Sequence, residues 1–140
     1  MNLERIKTVG IGAAYNGGRV LRSFLGNIKT PDHKGAIDLV TEADLGSEKV
    51  IIASIREAFP DHAILAEESG MSGENTASRW IIDPLDGTTN YTHQLGLFGV
   101  SIAFEMEGKI AVGIVLNPVT GELFSAVRGQ GAELNGRPIH

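Results

Sequence analysis

The sequence predicts an α+β domain: N-terminal helices packed on a largely antiparallel sheet. Three observations carry that expectation. Apolar residues recur every three or four positions through the first part of the chain. From Val100 onward they alternate at period two. Many of the 18 glycines fall after residue 86, where turns between strands would need them.

The chain has 140 residues, enough for one domain with its own core. Its 42% hydrophobic and 21% charged residues are those of an ordinary globular protein. A net charge of −5 argues against a general nucleic-acid binder, which needs a basic surface. The absence of cysteine excludes disulfides, thiolate metal sites, iron–sulfur clusters and cysteine nucleophiles, and fits a reducing compartment. No segment approaches the roughly 18 apolar residues of a membrane span. The start, Met1-Asn2-Leu3-Glu4-Arg5, lacks the apolar core of a signal peptide. A cytoplasmic protein without a membrane partner is the expectation.

Residues 3–24 place Leu3, Ile6, Val9, Ala13, Val20 and Phe24 on one stripe of a helix. Gly10, Gly12, Gly17 and Gly18 weaken that helix but permit close packing against a neighbour. Gly26-Asn27 is a C-terminal stop. Residues 30–36 read as a polar loop carrying His33 and Lys34, and Ile37-Asp38-Leu39-Val40 as a short β-like run. Thr41 then caps a second helix, with Asp44 in its first turn. Ile51, Ile52, Ile55, Ala58 and Phe59 form its buried stripe, and Pro60-Asp61 ends it.

Ala63-Ile64-Leu65-Ala66 reads as a buried strand that runs into Glu67-Glu68-Ser69-Gly70. A polar loop follows over residues 71–78, then a strand from Trp80 to Asp83. Beyond Asn90, Val100, Ile102 and Phe104 alternate with Ser101, Ala103 and Glu105. Glu107-Gly108-Lys109 turns the chain into Ile110, Val112, Ile114 and Leu116. Asn117-Pro118-Val119-Thr120-Gly121 turns it back into a strand over residues 122–127, and Asn135-Gly136 marks a last hairpin.

The chemistry concentrates in Asp83-Pro84-Leu85-Asp86-Gly87-Thr88-Thr89-Asn90. Buried strands do not end in unpaired carboxylates without compensation, because each costs several kcal/mol to desolvate. Glu67, Asp83 and Asp86 all lie at or just past strand ends, and they converge if those strands are neighbours. An all-oxygen cluster suits Mg²⁺ or Mn²⁺ rather than Zn²⁺. Pro84 fixes the backbone so that the Leu85 carbonyl can be a further ligand. Gly87-Thr88-Thr89 would cradle a phosphate on its backbone N–H groups. Spacing alone leaves a second reading open, in which the whole stretch is a solvated turn capped by threonine. Asp44 likewise has a plain use as a helix N-terminal charge. His33 and Lys34 read as solvated loop residues, His62 and His93 have no assignable partner, and Trp80 and Phe104 read as core.

Taken together, Glu67-Glu68-Ser69 and Asp83-Pro84-Leu85-Asp86-Gly87-Thr88-Thr89-Asn90 resemble the first signature of the inositol monophosphatase family, Mg²⁺-dependent and lithium-sensitive phosphatases. Asp38-Leu39-Val40-Thr41-x-x-Asp44, Gly129-Gln130-Gly131-Ala132 and Asn135-Gly136 match it too. The resemblance implies that Glu67, Asp83, the Leu85 carbonyl and Asp86 hold metal. It implies that Asp86, Gly87 and Thr88 bind the substrate and its phosphate. Asp44 would pair with the Thr88 hydroxyl and, with Glu67, position and activate a water for direct attack on phosphorus. Inositol monophosphate is the implied substrate, and Asn90 is a weak pointer to that branch. Fructose 1,6-bisphosphate and the 2′-phosphate of NADP are alternatives.

The family's second signature, a downstream Trp-Asp pair whose aspartate is a further metal ligand, is absent: Trp80 is followed by Ile81. Residues 1–140 therefore resemble the N-terminal half of the family, without its C-terminal α/β portion. A fragment of a longer phosphatase is favoured over a natural half-length protein that binds metal and phosphate without efficient catalysis. The strands between residues 97 and 127 are apolar enough to require cover on both faces. Half a fold supplies one, so the expectation is a homodimer or association with the missing half.

Overall fold

The computed structural model describes residues 2–25, 33–73, 75–93 and 96–139, with the side chains of residues 33–38, 75, 76, 89 and 92 outside that description. Helix α1, Leu3–Leu25, buries Ile6, Gly10, Ala13, Ala14, Gly17, Gly18 and Leu21. The glycines let it lie close to its neighbours. A Cβ on Gly10 would stand 2.5 Å from Ile114 Cδ1, and one on Gly17 2.7 Å from Ile51 Cδ1. Gly12 differs, with nothing within 4 Å of its Cβ position. Gly12→Ala is therefore expected to stabilise the chain by about 0.5–1 kcal/mol through helix propensity. Gly17→Ala is expected to destabilise it by about 1–3 kcal/mol through overpacking. Urea unfolding of the two variants checks both signs. The stop expected at Gly26-Asn27 lies outside the described residues.

Helix α2, His33–Ala58, corrects the sequence reading of its first third. Residues 33–40 are helical, neither loop nor β-like. Thr41 is an interior, exposed position rather than a cap, and Asp44 lies in mid-helix, away from the N-terminal charge its sequence context suggested. The cause is tertiary. Val40, Ala43, Ser47 and Ile51 are buried at spacings of three and four, so one helical face continues back from the apolar stripe. That burial outweighs the β preference of the Ile37–Val40 run.

Eight strands form one sheet: β1 (His62–Ala66), β2 (Gly70–Ser72), β3 (Asn75–Asp86), β4 (Gly99–Met106), β5 (Lys109–Leu116), β6 (Leu123–Val127), β7 (Ala132–Leu134) and β8 (Arg137–Ile139). Their spatial order is β2-β1-β3-β4-β5-β6-β7-β8. All neighbours run antiparallel except β1 and β3, which are parallel. A short helix, α3 (Thr88–Thr92), joins β3 to β4. The segment expected to be a polar loop over residues 71–78 instead gives β2 and the start of β3. Backbone pairing with Ile64, Leu65 and Ala66 orders β2, and such pairing needs no apolar side chains. The last hairpin turns at Asn135-Gly136 as expected, with φ of 53° and 81°.

The two faces of the sheet differ. Trp80, Phe104 and Val112 sit opposite one another across β3, β4 and β5, at 0%, 0% and 1% exposure. Ile82, Ile102 and Ile114 make the next buried row. These rows face the helices: α1 packs on β4, β5 and β6, and α2 on β1 and β3. On the other face Ala103, Gly113 and Ala126 form a shallow trough of small residues. Val115 and Phe124 pair beside it and are 45% and 41% exposed. Among the described residues no helix is long and apolar enough to cross a membrane.

Candidate metal and phosphate site

The parallel pairing of β1 with β3 builds the site. Ala66 lies opposite Ile82, so the next residues, Glu67 just past the end of β1 and Asp83 within β3, stand side by side. Asp83 and Asp86 flank a bulge: they register with Ser101 and Gly99, three steps against two. Pro84 sits inside the bulge, where its missing N–H removes no ladder bond. Strand β3 thus runs through both aspartates rather than ending at the first. Asp83 Oδ1 accepts the Leu85 N–H at 3.3 Å, and the Pro84 carbonyl accepts the Ser47 hydroxyl at 3.0 Å.

Asp44 enters from α2. Oxygens of Asp44, Glu67 and Glu68 lie within 4.8 Å of one another. Asp44 Oδ1 is enclosed by protein and has no hydrogen-bond partner. Burial, then the Glu67, Glu68, Asp83 and Glu48 carboxylates, push the Asp44 carboxyl up to about 6. Burial, then Asp83, Glu68 and Glu48, raise Glu67. Burial and then Asp86 raise Asp83, while the Leu85 N–H opposes them. The two ion pairs among the described residues, Lys7–Glu133 and Arg79–Glu105, lie elsewhere. Carboxylates gathered around a buried oxygen without a donor make a donor set suited to a hard cation, so the residues fit Mg²⁺ or Mn²⁺.

The tightest carboxylate group is therefore Asp44, Glu67 and Glu68, with Asp83 beside it. Asp86 is exposed at the other end of the bulge, near enough that its carboxylate helps to raise Asp83, and the Leu85 side chain is buried. Gly87 takes a φ of +90°, and a Cβ there would stand 3.0 Å from the Leu97 carbonyl oxygen. Only glycine makes that corner comfortably. α3 then begins at Thr88 and packs against α2, the helix of Asp44. Asn90 Nδ2 donates to the Leu97 carbonyl at 2.8 Å, which ties α3 to the loop before β4. Tyr91 donates its hydroxyl to the Leu21 carbonyl at 2.7 Å and anchors α3 to α1.

Sequence reasoning assigned no role to Glu68 or Glu48. Glu48 is 3% exposed and accepts the Glu68 N–H at 2.9 Å and the Ser69 hydroxyl at 2.6 Å. Its position four residues after Asp44, on the same helical face, was the available signal. His62, without a partner in the sequence, accepts the Trp80 indole N–H on Nδ1 at 3.0 Å and stacks on Phe59 at 4.5 Å. His93 is exposed, and the side chains of His33 and Lys34 lie outside the described residues.

The chain is 45% identical over 135 residues to the Nus factor SuhB of Salmonella typhimurium, covering 92% of this chain and 49% of that protein. It is 39% identical over 142 residues to inositol monophosphatase 3 of Solanum lycopersicum, covering 99% and 53%. The structure of inositol monophosphatase from Anabaena superposes with a TM-score of 0.85 at 42% identity, over 99% of this chain and 50% of that one. The extragenic suppressor protein SuhB of Bartonella henselae gives 0.87 at 40%, over 97% and 53%. The chain spans about half the length of the curated relatives it matches. The model of the inositol monophosphatase family matches residues 2–140, and the chain belongs to that family.

Proposed function

We propose that this chain carries the metal and phosphate half of a Mg²⁺-dependent phosphatase acting on small phosphate monoesters, with inositol monophosphate as substrate. The observation that carries the reading is the enclosed, donorless Asp44 oxygen among the Glu67 and Glu68 carboxylates, beside Asp83. Glu67, Asp83, the Leu85 carbonyl and Asp86 would hold Mg²⁺, with Mn²⁺ as substitute and Li⁺ as inhibitor. When bound, the cation polarises the phosphoryl group and lowers the pKa of water. Gly87 and Thr88 receive the phosphate, and Asp86 contacts the substrate. Asp44 and Glu67, with the Thr88 hydroxyl, orient the attacking water and accept its proton, so no protein nucleophile is needed. The absence of cysteine supports a cytoplasmic location.

The test is Mg²⁺-dependent phosphate release from inositol 1-phosphate, with fructose 1,6-bisphosphate and NADP as competing substrates. Release by the chain and loss of at least about 100-fold in Asp83→Asn is the expected result. Equal release from both would remove Asp83 from the site. A second reading is a non-catalytic metal- and phosphate-binding assembly unit. Mg²⁺ binding without release from any of the three substrates would select it.

The open sheet face is the proposed association surface. Val115 and Phe124 expose apolar area beside the Ala103–Gly113–Ala126 trough. For this chain alone, a second copy is the expected occupant. Sedimentation is expected to give a dimer, and Phe124→Asp a monomer with an unchanged far-UV spectrum.

A further inference from the structure

Two consecutive residues of α2 hold both acid-bearing strand ends. Ser47, fully buried, donates to the Pro84 carbonyl inside the bulge between Asp83 and Asp86. Glu48 accepts the Glu68 N–H on one oxygen and the Ser69 hydroxyl on the other, so both are engaged by the turn that carries Glu67. A buried carboxylate with no cationic partner is costly, and here two hydrogen bonds compensate it. Those bonds do not join α2 to a distant part of the core. They fix the turn that follows β1, next to Asp44 one helical turn earlier.

We propose that Glu48 is a positioning residue for the metal site, with Ser47 as its counterpart on β3. Glu48 sets the orientation of the Glu67-Glu68 turn, and Ser47 sets the bulge that presents Asp83 and Asp86. The inference rests on the metal reading given above. Neither residue need touch the cation. They govern how far apart the two strand-end carboxylates stand when it binds.

Substitutions separate this role from simple core filling. Glu48→Gln can keep both bonds: its carbonyl accepts the Glu68 N–H, and its amide donates to the Ser69 oxygen. Glu48→Ala loses both, and Ser69→Ala, at an exposed position, loses one. Two readouts apply to the 140-residue chain: calorimetric titration with Mg²⁺ or Mn²⁺ alone, and amide exchange at Glu68. Glu48→Gln is expected to stay within about threefold of the unsubstituted chain in affinity, with Glu68 protected. Glu48→Ala is expected to lose about 10–100-fold in affinity, with faster exchange at Glu68. Ser69→Ala should fall between them and decides the matter if Glu48→Ala fails to fold.

A folded Glu48→Ala chain with unchanged metal affinity would overturn the proposal and leave Glu48 as core. Equal losses in Glu48→Gln and Glu48→Ala would also overturn it, because charge rather than the bonds would then matter. If the unsubstituted chain binds neither cation, the metal reading falls and this inference falls with it. Equal binding by all variants removes the inference alone.

Discussion

Trp80→Ala is expected to cost about 3–5 kcal/mol, a large share of the roughly 5–15 kcal/mol that stabilises a domain of this kind. Trp80 is fully buried, and its ring lies 5.1 Å from Phe104 on β4, 6.1 Å from Phe59 and 6.5 Å from His62 on β1. It also reaches α1, where a Cβ on Gly10 would stand 3.2 Å from its Cζ3. One side chain therefore contacts both layers, and truncation leaves a cavity between them. It also leaves His62 Nδ1 without its donor. Trp80→Phe removes the donor with a smaller loss of ring volume and is expected to cost less, about 1–3 kcal/mol. Because Trp80 is the single tryptophan, unfolding should be followed by far-UV circular dichroism in urea rather than by indole fluorescence. A Trp80→Ala midpoint close to that of the unsubstituted chain would show that the core is not organised around this residue.

Why Trp80 could be assigned to the core from sequence, while its histidine partner could not, is a matter of range. Apolar spacing reports burial, so the rows through Trp80, Phe104 and Val112 were legible as alternation along each strand. A hydrogen bond between side chains 18 residues apart has no local signature. The same distinction runs through the site. Glu67 and Asp83 were readable because each directly ends an apolar run, and the parallel pairing of β1 with β3 then brings them together. Glu48 was hidden because it looks like any polar helical residue until the Glu67–Ser69 turn folds onto it. The first third of α2 was misread for a related reason. The buried stripe further along the helix reaches Val40 through Ala43 and Ser47, whose small side chains weaken the helical pattern and leave the β-branched residues before them to dominate it.

Saturating Mg²⁺ is expected to stabilise the chain at pH 7.5 and to lose that effect by pH 5. At ten times its dissociation constant a bound cation contributes about 1.4 kcal/mol, which moves the thermal midpoint of a domain this size by about 5 °C. The sign of the pH dependence follows from the carboxylates. Asp44 is pushed up to about 6 from 3.8, and Glu67 and Asp83 are raised as well. Raised folded-state values mean that the native chain binds more protons than the unfolded one between about pH 4 and 6. Without metal, the ionised cluster therefore opposes folding above about pH 6, and that penalty fades as the pH falls toward 3.8. Protons compete with Mg²⁺ for the Glu67 and Asp83 oxygens and neutralise Asp44 beside them, so the cation stabilises only where the protons have left. His62 acts in the opposite direction. Burial lowers its pKa, so stability is lost as the pH falls below its usual 6.5. Comparing melts with and without Mg²⁺ at each pH cancels that contribution, since His62 lies in the Phe59–Trp80 cluster away from the carboxylates. Asp83→Asn should abolish the Mg²⁺-dependent rise at pH 7.5. Asp44→Asn should raise the metal-free midpoint there, because it removes the ionised oxygen that has no donor. A Mg²⁺ effect equally large at pH 5 and pH 7.5 would place the cation somewhere other than this cluster.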